Sequence, residues 1–216
     1  MNCTPATPEA IAQAVALLRD GALAILPTDT VYGLCADVRC DEAVRAISAA
    51  KGRQPGTPLQ LLFGEDVGMV DGYAVLTRGA RALVEAFGPA GWTIITDAAP
   101  GWDSPALAGG KTVGIRIPDA PVVEAVVKKL GAPLVASSAN RHGETSPTTC
   151  AQALASVGQA CAIALDGGPT VAALDSTVID CTATGPRILR EGAIDRATVA
   201  RILGLSDIPV LRSVRP

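Results

Sequence analysis

Short apolar segments alternate with helix-like segments along nearly the whole chain, and Gly and Pro punctuate the changeovers. The longest uninterrupted apolar run is six residues, Ala160 to Leu165. A membrane-spanning helix needs about 18, so these runs suit short buried strands with helices between them. Thr7-Pro8 supplies an N-cap candidate and a proline at the first helical position; Ile11, Val15 and Leu18 then share a face until Gly21. Similar reasoning predicts helices capped by Asp41, Thr77, Asp119, Thr149 and Asp195, with Gly131 ending the one after Asp119. Strands are expected near residues 22–26, 59–63, 93–96, 113–117, 134–136, 161–165, 176–179 and 187–189. Some of these neighbours have no helix between them, so the sheet should be mixed rather than purely parallel. The expectation is one α/β domain over residues 1–204, with 205–216 as a tail.

Hydrophobic residues make up 49% of the chain but aromatics only 3%, so Ala, Val, Leu and Ile must fill the core. Net charge is −3, and no clearly basic face emerges that would signal nucleic-acid binding. Glu9 interrupts the N-terminal segment and no basic stretch precedes an apolar one, so a cytoplasmic location is expected, with no membrane partner. The six cysteines include no Cys-x-x-Cys pair, and with His142 as the single histidine no familiar zinc constellation can be assembled. They read as free thiols acting as small apolar residues. The lone histidine also argues against a Ser-His-Asp triad.

Two motif matches fail on inspection. Gly110-Lys111-Thr112 has the end of a phosphate-binding loop, but Pro105 stands where its leading glycine belongs. Ser48-Ala49-Ala50-Lys51 has the Ser-x-x-Lys spacing without its companion Lys-Thr-Gly.

Polar residues gather where strands give way to loops, the usual place for ligands in open α/β sheets. Taken singly, these segments have ordinary explanations: Thr28-Asp29 as a turn, Lys51 as a solvated helix end, Ser137-Ser138 as caps of backbone groups. Their order along the chain is more specific. Pro27-Thr28-Asp29-Thr30-Val31-Tyr32-Gly33-Leu34 is followed by Lys51-Gly52-Arg53 and then by Gly114-Ile115-Arg116-Ile117-Pro118. Ser137-Ser138-Ala139-Asn140 comes next with Ser146-Pro147-Thr148, and then Asp175-Ser176-Thr177 and Arg190-Glu191-Gly192. This series resembles the YrdC family of threonylcarbamoyl-AMP synthases over roughly residues 8–204.

The resemblance implies a twisted mixed sheet with flanking helices around a deep, positively charged cavity. It implies an enzyme that joins L-threonine, bicarbonate or CO2, and ATP into threonylcarbamoyl-AMP and pyrophosphate. A separate tRNA threonylcarbamoyltransferase would use that product at adenosine 37, and direct tRNA contact would be weak. By resemblance Lys51 and Arg53 are catalytic phosphate ligands, while Thr30, Arg116 and Ser176 hold threonine. Ser138, Asn140, Ser146 and Arg190 surround the nucleotide, with Thr57 and Thr112 added to that set. Mg2+ would accompany ATP, with no protein ligand assigned. The residue types suit the chemistry: attacker and leaving group are anionic, so positioning and charge neutralisation matter more than a protein nucleophile. Lys offers a point charge and Arg a planar fork for phosphate or carboxylate.

The chain departs from the family pattern at Gln54-Pro55-Gly56-Thr57-Pro58, and at Leu62, where some relatives carry histidine. It is also expected to lack the additional C-terminal domain of longer relatives, since residues 205–216 are too short to form one. Two other functions stay open at this stage: a diverged YrdC-like enzyme carbamoylating another amine, and a non-catalytic RNA-binding module. Substrate-dependent pyrophosphate release separates all three.

Overall fold

Threonine and aspartate side chains set where four helices begin. Thr7 opens α1 (Pro8–Arg19) by accepting the Ala10 N–H at 3.2 Å. Thr77 does the same for α3 (Arg78–Phe87), and Asp195 for α6 (Arg196–Ile202). Thr149 and Gln152 form a reciprocal capping box on α5 (Cys150–Val157). Two caps differ from the sequence expectation. Cys40 precedes α2 (Asp41–Ala50) and Ala120 precedes α4 (Pro121–Leu130), neither with a side-chain cap bond. Asp41 lies one residue inside its helix, where its charge still favours the helix dipole. Gly131 ends α4 in the left-handed region, φ 73°, as expected.

The computed structural model describes residues 2–54, 56–170, 174–182 and 185–211. Its strands are β1 (Thr4–Pro5), β2 (Ala24–Leu26), β3 (Gly33–Asp37), β4 (Gln60–Leu62), β5 (Ala74–Val75), β6 (Trp92–Ala98), β7 (Thr112–Arg116), β8 (Leu134–Ser138), β9 (Ile163–Asp166), β10 (Thr177–Asp180) and β11 (Arg187–Arg190). They form one sheet in the order β1-β9-β2-β3-β8-β4-β7-β6-β10-β11, with β5 paired to β6. The β9–β2, β4–β7 and β6–β10 pairs are parallel, whereas β3 runs antiparallel to both β2 and β8. The sheet is therefore mixed. Helix α1 packs on α4, and α3 on α6.

Strands β1, β3 and β5 were not expected. The five residues of β3 are all buried, so no polar alternation marks it, and it directly follows the polar Pro27–Tyr32 loop. Part of the expected tail is also packed. Ile208 is fully buried, and the Ile188 N–H donates to Pro209 O at 2.9 Å while the Leu211 N–H donates to Ile188 O at 2.9 Å. Residues 212–216 of that tail lie outside the described residues, as does Pro55 of the loop after Arg53. The core is mainly aliphatic, with Trp92 and Tyr32 as its largest members. Among the described residues no cysteine is in a disulfide, and four of the six are buried. No helix among the described residues is long and apolar enough to cross a membrane.

Candidate functional site

Because side chains alternate along a strand, residues two apart share a face. One face of the central sheet thus presents Ala136 and Ser138 from β8, Gln60 from β4, Gly114 and Arg116 from β7, Thr93 from β6, and Val178 from β10, with Ser176 just before it. Gly114 keeps this floor low: a Cβ there would lie 3.3 Å from Thr93 Cγ2 and 3.4 Å from Gln60 Cβ. Above the floor is a cavity of about 210 Å3, walled by Thr30, Arg53, Asp175 and Arg190 among others.

The Pro27–Tyr32 loop is folded by Thr28, whose hydroxyl donates to Val31 O at 2.6 Å and accepts from the Thr30 and Val31 N–H groups at 3.3 Å. That turn delivers Asp29 and Thr30 to Arg116. Arg116 Nη2 donates to Asp29 Oδ1, in an ion pair, and to Thr30 Oγ1 at 2.8 Å. Arg116 is 3% exposed, and burial pulls its pKa down while Asp29 opposes the shift. Burial also lowers the pKa of Arg53. The Nε atoms of both arginines are buried without an acceptor among the described residues.

On the opposite wall, Arg190 Nε and Nη2 donate to Ser176 O at 3.1 and 2.9 Å, and Arg190 Nη1 lies 3.5 Å from Asp175 Oδ2. Ser176 Oγ is 2.8 Å from Thr93 Oγ1, which donates to Gln60 Oε1 at 2.8 Å. Ser146 Oγ donates to Asp175 Oδ1 at 3.3 Å. Ser146 and Asn140 line a second cavity of about 480 Å3, and the Ser146–Asp175 bond joins the two spaces.

The structure thus gathers Thr30, Arg53, Arg116, Ser138, Ser176 and Arg190 around one cavity, with Asn140 and Ser146 beside its neighbour. Three expected site residues sit differently. Thr57 is exposed, while Pro58 and Leu59 after it form the cavity wall. Thr112 shares the face of Arg116 but lies at the other end of β7, about 13 Å away at the rise of a strand.

Lys51 lies behind the wall rather than in it. It is 2% exposed, and its Nζ donates to Ser138 O and, at 2.6 Å, to Asn140 O. Its own carbonyl accepts the His142 N–H at 2.8 Å, so the lysine is stitched to the 138–142 turn at both ends. Asn140 is drawn inside the same turn, its Nδ2 donating to Arg141 O at 2.9 Å and Glu144 O at 2.8 Å. Burial, with help from Arg53, brings the Lys51 pKa down to about 8.

Asp29, Gln60, Thr93 and Asp175 were missing from the sequence-derived set. Asp29 and Asp175 stand inside motifs already singled out, so chain position was a usable signal for them. Gln60 and Thr93 belong to strands and become site residues only through register. Leu62, opposite Arg116 in the β4–β7 pairing, is 1% exposed and makes that edge of the site apolar.

Residues 16–192 match the Sua5/YciO/YrdC family, described as telomere recombination. The chain is 36% identical over 195 residues to a threonylcarbamoyl-AMP synthase of Bacillus subtilis, covering 90% of this chain and 56% of that protein. It is also 36% identical over 197 residues to a putative threonylcarbamoyl-AMP synthase of Mycobacterium tuberculosis, covering 90% and 89%. Among solved structures, Pyrococcus abyssi Sua5 complexed with L-threonine superposes with a TM-score of 0.89 at 28% identity, covering 94% of this chain and 59% of the other. The chain therefore spans little more than half the length of two of these three relatives.

Proposed function

The chain belongs to the Sua5/YciO/YrdC family, and from that premise we propose that it synthesises threonylcarbamoyl-AMP from L-threonine, bicarbonate or CO2, and ATP. The observation that carries this reading is the convergence of Arg53, Arg116 and Arg190 on one cavity, with the buried Nε–H groups of Arg53 and Arg116 unpartnered among the described residues. A buried donor without an acceptor costs about 1–3 kcal/mol. Anionic oxygens of a substrate remove that cost, and the planar guanidinium suits carboxylate and phosphate alike.

In the proposed reaction the threonine nitrogen attacks CO2, loses a proton and becomes a carbamate. A carbamate oxygen then attacks the α-phosphorus of ATP, the bond to the β-phosphate breaks, and pyrophosphate leaves. Arg116 holds the threonine carboxylate, with Thr30 and Ser176 hydroxyls beside it. Asp29 fixes the plane of that guanidinium, and Thr93 with Gln60 orients Ser176. Arg53 and Arg190 face the phosphates, where charge rearranges during transfer. Lys51 shapes the turn that presents Ser138, so its role is positioning.

Asp175, the one carboxylate in the cavity wall among the described residues, is engaged by Arg190 and Ser146. Mg2+ therefore fits here as an ion carried on ATP phosphates and water, where it supplies charge neutralisation. The product would pass to a tRNA threonylcarbamoyltransferase in the cytoplasm. The overall charge of −3 gives little basis for strong tRNA binding by this chain.

The test is pyrophosphate release by purified protein with ATP and Mg2+, adding threonine and bicarbonate singly and together. Release only with both is expected. Equal release with serine or alanine replacing threonine indicates a diverged carbamoylation enzyme, and no release under any combination refutes the proposal.

A further inference from the structure

The structure brings together three groups that lie far apart in the chain: the thiols of Cys3 and Cys150 and the carboxylate of Asp166. One ligand atom from each lies within 4.8 Å of the others. Cys3 directly precedes β1, Cys150 opens α5, and Asp166 ends β9, to which β1 is paired. This cluster stands apart from the residues that line the arginine cavity.

We infer that Cys3, Cys150 and Asp166 form a binding site for a thiophilic divalent cation of the Zn2+ class. Two sulfurs and one carboxylate oxygen are a donor set for tetrahedral zinc, with water in the fourth position. Zinc–sulfur bonds of about 2.3 Å imply ligand–ligand edges of about 3.8 Å, so the cluster needs only a small contraction to close on the ion.

The carboxylate is already oriented from behind, as metal-binding carboxylates usually are. Asp166 Oδ1 accepts the Gly168 N–H at 2.9 Å and lies 3.1 Å from the Tyr32 hydroxyl. These contacts hold the carboxylate in place beside the two thiols. On binding, two S–H bonds are replaced by two S–metal bonds and two protons leave to solvent. The site fastens the N-terminal strand to α5 and β9. Through Tyr32 it also braces the loop that carries Asp29 and Thr30. The three residues lie far apart in the chain, so no local cysteine spacing marks the site.

Cobalt is the probe, because thiolate–Co2+ charge transfer is visible in the near ultraviolet. Full-length, metal-free protein reduced with a phosphine is titrated with Co2+. One equivalent is expected to give the charge-transfer band, releasing two protons, and Zn2+ is expected to abolish it. Cys3→Ser and Cys150→Ser each lose the band, whereas Cys40→Ser, outside the cluster, retains it. Tyr32→Phe removes an outer hydrogen bond and weakens cobalt affinity by about tenfold. The inference is overturned if wild-type protein gives no thiolate band, or if the band survives Cys3→Ser. A Cys3–Cys150 disulfide in protein that, once reduced, takes up no cobalt also overturns it, because the pair is then a crosslink.

Discussion

Replacing Lys51 with methionine separates a phosphate ligand from a residue that shapes the site. The structure gives both sides of its energetics. The variant loses two hydrogen bonds from a buried charged donor, to Ser138 O and Asn140 O, together worth about 4 kcal/mol. Burial of the ammonium, which lowers its pKa from 10.5 to about 8, offsets much of that loss. The net loss of stability should therefore be small, about 1 kcal/mol, measured by urea unfolding. Activity should fall much further, because a shift of about 1 Å in the Ser138–Asn140 turn costs about a hundredfold in rate. Steady-state pyrophosphate release should show that loss in kcat. Wild-type kcat with a raised KM for ATP would refute the positioning role and make Lys51 a direct phosphate ligand. Wild-type behaviour in both constants would remove Lys51 from the site. The titration adds a sign to check. Wild-type activity should decline as pH rises past about 8, where the folded ammonium loses its proton. Between 8 and 10.5 the unfolded chain holds a proton that the folded chain has released, so this residue's contribution to stability rises with pH.

Arg116→Ala leaves the Asp29 carboxylate without its partner and should destabilise the fold by about 3 kcal/mol, while raising mainly the KM for threonine. Arg53 has no ion pair among the described residues, so Arg53→Ala should unfold within about 1 kcal/mol of wild type and lose about a hundredfold in kcat. Urea unfolding and kinetics on both variants check this, and a reversed pattern means the two arginines are assigned the wrong way round. Gly192→Ala places a Cβ against Asp175 O and 2.7 Å from the Ser176 carbonyl carbon. Rigid backbone must shift there, at about 1–3 kcal/mol. Pyrophosphate release should fall with it, and an unchanged rate would show that the Asp175–Ser176 backbone is not critical to catalysis. Cys35 is fully buried and its pKa is pushed up to about 12, so native protein should resist alkylation there and Cys35→Ser should keep its activity. Rapid labelling that abolishes turnover would contradict this.

Helix starts at Thr7, Thr77, Thr149 and Asp195 were legible because a cap acts on backbone only a few residues ahead. The ordered polar motifs were legible too: Thr30, Arg53, Arg116, Ser138, Ser176 and Arg190 all meet at the cavity. Strand β3 was not, because uniform burial erases alternation, and its partner β8 comes from a hundred residues further on. Thr112 shows the same limit within a strand, since alternation identifies a face but not which end of it meets the ligand. Lys51 shows it most plainly. A lysine beside a glycine and an arginine suggests phosphate binding, yet its charge is spent on carbonyls of a turn nearly ninety residues away. Local bonding rules and residue chemistry are carried by neighbouring residues and can be read in order. Pairing, burial and the direction of a charged side chain depend on which distant segments fold against it, and only the assembled sheet supplies them.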